Sequence, residues 1–174
     1  YIQQKGHILY ALKKYDDAYK AYMSLKDTNM RSGQAFLYAA QCKRMVKAEE
    51  EEIIPLLDSA IACYKEPYTF EAANIILERA NTLANAGRFR EAVRDMNSYE
   101  RVMSQQVNAL FYYKREQMEI KCRMFQQAID DIDRAIRMEP NEALFHAERS
   151  VVFYSIGEFE EALNKENKKM GCYV

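Results

Sequence analysis

Hydrophobic and polar positions along the chain repeat a pattern in which an aromatic residue is followed three positions later by alanine. It occurs at Tyr15/Ala18, Phe89/Ala92, Phe125/Ala128 and Phe159/Ala162. The last three copies are separated by 36 and 34 residues, and the 74 residues between the first two leave room for one degenerate copy. Each copy starts at a break carrying Lys, Gly or Arg and runs on as a helical stretch: KKYDDAYKAY, GRFREAVRDM, RMFQQAIDDIDRAI and GEFEEALNKE. Another helical stretch precedes each break, so the predicted unit is helix A, tight turn, helix B. Paired helices at a period of about 34 predict an all-α solenoid, whose core is a continuous seam between neighbouring units.

Local signals mark the helix ends. Asn141, after Pro140, is the expected N-cap of the last helix A, because its side-chain oxygen can accept a first-turn amide, and Thr69 is placed to open helix A of repeat three in the same way. Gly157 is expected to supply the backbone freedom of the last turn. The acidic run Glu49 to Glu52 falls where helix B of repeat two should begin, where its charge complements the helix dipole. Four consecutive side chains point around a helix axis, so the run does not converge on a metal. The EPYT stretch at residues 66 to 69 is the widest gap between repeats and the expected place for a change in superhelical path.

Further positions recur with the motif. Repeat four carries Phe125, Ala128, Ala135 and Pro140, repeat five Gly157, Phe159 and Ala162, repeat three Gly87, Phe89 and Ala92, and repeat one Gly6, Tyr15 and Ala18. The degenerate copy keeps Phe36, Ala39, Ala40 and Ala60 but has no aromatic before Ile53. In these positions the chain resembles the tetratricopeptide-repeat family over almost its whole length. The resemblance implies a right-handed α-solenoid of about five helix-turn-helix units in a single domain, residues 1–174, with repeats near 1–28, 33–66, 73–105, 109–140 and 143–170. The texture of residues 107 to 165 is similar to bacterial repeat proteins that are often exported. Beginning at Tyr1 rather than Met, the chain reads as a processed or truncated piece, which tilts the expected location toward the periplasm or cell envelope over the cytoplasm.

Composition narrows the function classes. The 49% hydrophobic and 29% charged fractions suit a soluble single domain. A net charge of −1 offers no broad basic field, so nucleic acid is not an expected partner. No apolar run approaches the roughly 18 residues of a membrane span. Cys42, Cys63, Cys122 and Cys172 lie far apart and read as small buried hydrophobes.

Catalytic patterns are not found. His7 and His146 lack a second ligand at metal-binding spacing, so no metal or cofactor is expected. Asp130, Asp131 and Asp133 crowd one helix B, but Arg134 and Arg137 follow at helical spacing, as on an exposed ion-paired helix. Nucleotide, hydrolase and zinc-protease motifs are missing, and the expectation is that the chain is not an enzyme.

The resemblance further implies a concave groove lined by helix A side chains. Carried over position by position, the peptide-binding candidates are His7, Tyr10, Gln41, Arg44, Asn81, Asn85, Tyr113, Gln117, Lys121 and Tyr154. Amides at one step of adjacent helices, Gln41, Asn81 and Gln117, are suited to hydrogen-bond an extended peptide backbone while Tyr10, Tyr113 and Tyr154 pack on its side chains. Chaperone-binding members clamp a terminal carboxylate with Lys and Asn, whereas His7, Gln41 and Tyr38 stand in those slots. At the seventh repeat position, usually Leu, Arg79, Arg115 and Arg149 form a ladder in step with the repeat. Two readings stay open for it: ion pairs that fix register, or guanidinium groups left free for an anionic ligand. The polar Glu166 and Lys169, at positions matching Ile132 and Ala135, suit a solvated end cap. The expected function is a non-enzymatic scaffold holding a peptide or protein partner, with a structural or oligomerisation module, or the regulatory arm of a larger protein, as the alternative. The pattern sets no oligomeric state.

Overall fold

The computed structural model describes residues 2–25, 33–64 and 69–169, with the side chains of residue 71 and of 161–169 outside that set. Regular structure among the described residues is entirely helical: α1 (Ile2–Ala11), α2 (Tyr15–Met23), α3 (Gly33–Met45), α4 (Glu50–Ala62), α5 (Phe70–Asn85), α6 (Phe89–Met103), α7 (Ala109–Lys121), α8 (Phe125–Met138) and α9 (Ala143–Lys169). The chain divides into two compact units, residues 1–105 with α1 to α6 and residues 106–174 with α7 to α9.

One turn geometry closes each of the helical pairs α1/α2, α3/α4, α5/α6 and α7/α8. A single residue adopts the left-handed region: Lys13 (φ 58°), Lys47 (56°), Gly87 (75°) or Arg123 (60°). Its amide and the next one turn back onto helix A. Gly87 donates to the Ala84 carbonyl at 3.0 Å and Arg88 to Leu83 at 2.8 Å, and Lys13/Lys14, Lys47/Ala48 and Arg123/Met124 repeat the pair. These bonds satisfy carbonyls that the last helical turn leaves free. A side-chain-bearing residue there costs about 1–2 kcal/mol, which Gly87 avoids.

Packing explains the alanine of the motif. Ala18, Ala92 and Ala128 are fully buried, so helix B approaches its neighbours at the smallest side chain. In unit 1, Ala18 belongs to a core that buries Tyr22, Ile53, Leu57, Ile75 and Ile76. Each such Ile or Leu contributes about 1.5–3 kcal/mol, and helices α1 to α8, from 9 to 16 residues long, would be marginal without that packing. In the degenerate repeat, Ile53 is buried at the alanine position, and Glu50, Glu51 and Glu52 occupy the first turn of α4 as the dipole argument expects. Gly6 is pressed against Tyr22, since a Cβ there would lie 2.6 Å from the ring. Thr69 caps α5 as expected, accepting the Ala72 amide at 3.3 Å.

Three expectations need correction. The fifth repeat is not a hairpin, because α9 runs unbroken through Gly157 for 27 residues. The positions of α9 that match the buried Ile76, Ala80 and Leu83 of α5 are His146, Ser150 and Phe153, all exposed. A face with His and Ser at its centre rewards a folded-back helix B too little to offset the helical hydrogen bonds that a turn would break. Asn141 is not the cap of α9: Glu142 takes the role, its Oε1 accepting the Leu144 amide at 3.2 Å. Asp131 is buried rather than solvated. Most of EPYT, the side chains of Glu166 and Lys169, and Cys172 lie outside the described residues. Cys42 and Cys122 are buried, and Cys63 is half-buried with its thiol 3.2 Å from the Ser59 carbonyl.

Candidate functional site

Helix A carries two sets of polar side chains with opposite fates, one ion-paired against helix B and one turned outward. The arginines form the first set. Arg79 donates from Nε and Nη2 to both oxygens of Asp95 (2.7 and 2.8 Å) and from Nη1 to Asp58 (2.8 Å). Arg115 grips Asp131 in the same fork (2.6 and 2.9 Å), and Arg149 donates to Asp133 at 2.7 Å. Arg79 and Arg115 thus hold helix B of their own repeat, while Arg79 and Arg149 also reach α4 and α8, the helix B before them. Forked guanidinium–carboxylate bonds are the geometry that fixes one helix against another. Bonding to Asp95 is the main reason the Arg79 guanidinium holds its proton more tightly than usual.

The acids adjacent to these arginines in sequence point elsewhere. Glu78 pairs with Arg44, whose Nη2 also donates to the buried Thr82 hydroxyl at 2.7 Å, tying α3 to α5. Glu148 accepts the Tyr113 hydroxyl at 3.5 Å. Glu116 is fully buried, and among the described residues neither of its carboxylate oxygens has a hydrogen-bond partner. Burial, reinforced by Glu148 and Asp131, pushes its carboxyl up to about 8. Glu119 is also pushed up to about 8, by burial first and then Asp131, with Arg115 opposing. Two buried acids side by side on α7, Glu116 and Glu119, were not foreseen from the sequence. The 16-residue separation shared by Arg79/Asp95 and Arg115/Asp131 is the signal that would have found the arginine partners.

The outward set falls into two groups. In unit 1, His7 is exposed with Nδ1 3.0 Å from the Tyr22 hydroxyl and its ring edge-on to Tyr38 (4.6 Å). Tyr10 and Gln41 are half-buried, and Tyr10 packs edge-on to Tyr15. Burial first, then Cys42 and Tyr15, raises the Tyr10 hydroxyl above its ordinary value. Asn81 and Asn85 stand exposed on α5, Asn85 donating to Glu50 at 3.2 Å. In unit 2, Gln117 donates to the Tyr113 hydroxyl at 2.8 Å, Tyr113 packs against Phe145, and Lys121 is exposed. Tyr154 is exposed and donates to Glu158 one turn along α9 at 2.9 Å, so its hydroxyl is occupied within its own helix.

A cleft of about 220 Å³ in unit 1 is lined by Ile54, Asp58, Arg79, Leu83, Arg88, Glu91, Arg94 and Asp95. Its charges are of both signs, and the Arg79 fork is already spent on carboxylates. Among the described residues no group of His, Cys, Asp or Glu is placed to hold a metal, and no helix is long and apolar enough to cross a membrane.

No family model matches the sequence, and no curated protein matches it. Solved structures do. The structure of MamA AMB-1 covers 100% of this chain, with 93% of its own length aligned, a TM-score of 0.71 and 17% identity. MamA 41-end from Desulfovibrio magneticus RS-1 aligns over 98% of this chain and 92% of its own, with a TM-score of 0.70 and 9% identity. YrrB, described as a TPR protein with an unusual peptide-binding site, aligns over 83% of this chain and 71% of its own, with a TM-score of 0.63 and 17% identity. Helical pairs joined by a repeated turn, a buried alanine in helix B and these neighbours together give the chain the fold of the tetratricopeptide-repeat proteins.

Proposed function

We propose that the chain is a non-enzymatic scaffold whose helix A faces hold an extended segment of a peptide or protein partner. The observation that carries this reading is the division of labour on helix A. Arginines at one register are consumed by carboxylates of helix B, while amides and tyrosines at another, Gln41, Asn81, Asn85, Tyr113 and Gln117, stay exposed or half-buried. An extended backbone needs partners for its amides and carbonyls, and carboxamides supply both donor and acceptor. Tyrosine adds rigid contact area with a polar tip. The fold neighbour YrrB, a TPR protein with an unusual peptide-binding site, supports the reading by analogy.

A test is an array of synthetic acetylated octapeptides probed with the full chain and with Tyr113→Ala and Gln117→Ala. Saturable binding that weakens in both variants is expected. Binding unchanged in both would mean that the groove assignment is wrong. An oligomerisation role has one observation in its favour, the exposed Val151, Phe153 and Tyr154 on α9. Light scattering at two concentrations separates it from the first, since a strict monomer removes it.

A further inference from the structure

Unit 2 packs more acid than base between its helices. Asp131 and Asp133 are taken by Arg115 and Arg149, and Glu119 lies 3.9 Å from Arg115 Nε. Two carboxylates remain on the α7–α9 side. Glu116 is fully buried without a hydrogen-bond partner among the described residues, and the half-buried Glu148 accepts the Tyr113 hydroxyl at the 3.5 Å limit. Tyr113 links them: its hydroxyl reaches Glu148 on α9, and Glu116 lies three residues further along α7, on the same face of that helix. Tyr113 stands half-exposed above it, with Gln117 holding its hydroxyl.

An unpaired buried carboxylate is costly to keep, and among the described residues no cation is paired with it. We infer that this edge of α7 and α9 is a cation-recognising subsite of the peptide face: it takes a lysine or arginine side chain of the partner, its stem across Tyr113 and its charge against Glu148, with Glu116 beneath. The inference rests on the peptide-face reading and names the chemistry of one partner residue. Ring and carboxylate act together, because a cation over an aromatic face gains from the ring quadrupole while the acid neutralises it. Lysine and arginine also carry apolar stems that the ring can cover.

A proton should leave when the cation arrives. In the free chain the Glu116 carboxyl sits at about 8 and is mainly protonated near neutral pH. The groups whose charge acts on it are Tyr113 and Glu119 on its own helix, Asp131 on α8 and Glu148 on α9. A bound cation favours the ionised form, so the complex holds fewer protons and affinity for a basic peptide rises with pH from about 7 to about 8.5.

The octapeptide array provides the test, with charge varied systematically and the tightest binder remade with each Lys or Arg replaced by norleucine. The tightest binders should carry Lys or Arg, and one norleucine replacement should cost about tenfold, the weight of a charge-assisted bond. Glu148→Gln should erase that difference while leaving neutral-peptide affinity unchanged, which also shows that the variant is folded. Glu116→Gln should shrink it and abolish the proton release read by calorimetry in two buffers of different ionisation heat. Neutral or acidic winners, or a basic preference that survives Glu148→Gln, would overturn the inference and leave the peptide face standing. Failure of every octapeptide to bind would overturn both.

Discussion

Replacing Glu116 with glutamine removes a titrating group from the buried side of α7 while keeping its shape. The carboxyl stands at about 8 in the folded chain against an ordinary 4.5, so the native state binds the proton more tightly than the unfolded state. Stability on this account is greatest below 4.5, falls as pH rises through the window, and levels off above about 8. Between about pH 5.5 and about pH 7.5 this one group should cost about 2.5 kcal/mol, close to the limiting slope of about 1.36 kcal/mol per unit. Glu119 is shifted in the same direction and adds to the slope of the wild type, though the two acids titrate as a coupled pair. Hydrogen exchange at α7 and α8 amides reads the opening of unit 2 by itself. Wild type should lose protection across that range, and Glu116→Gln should flatten the loss by roughly half. Glutamine also buries an amide, so its protection at the acidic end should drop by about 1–3 kcal/mol. An identical pH slope in both proteins would refute the reasoning, because it would mean that Glu116 is not protonated in the folded chain.

Arg115→Ala should destabilise unit 2 by up to about 3–5 kcal/mol in urea denaturation, because it takes the fork from the buried Asp131 and leaves it the longer Arg134 contact, and Arg115→Lys should fall between, since an ammonium cannot make the fork. Gly87→Ala should cost about 1–2 kcal/mol at its left-handed turn, whereas Gly157→Ala, in an open stretch of continuous helix, should gain up to about 1 kcal/mol. Equal losses in a thermal melt of the two glycine variants would indicate that α9 folds back as a hairpin.

The repeat was legible because burial needs a small residue wherever two helices approach, and Ala18, Ala92 and Ala128 meet that need directly. Turns at Lys13, Gly87 and Arg123 were legible as breaks for a related reason, their two returning amides requiring one left-handed residue. The turn at Gly157 was misread because a motif reports local preference, while a hairpin also needs apolar surface on helix A to fold against. His146 and Ser150 do not supply it. Among the arginines, sequence spacing exposed the ladder and left its partners open, since an Arg can reach an acid on any adjacent helix. Glu116 stands in the charged stretch KREQ, and its burial depends on neighbours that no local pattern encodes.

The central claim is that the outward register of helix A receives an extended peptide, and amide and side-chain NMR shifts on titrating the tightest array octapeptide test it most directly. Perturbations are predicted at Gln41 and Asn81 for a peptide seated on unit 1 and at Tyr113 and Gln117 for one seated on unit 2, with Gln126 and Asp130 on α8 unchanged. A footprint confined to helix B residues, with those four silent, would contradict it.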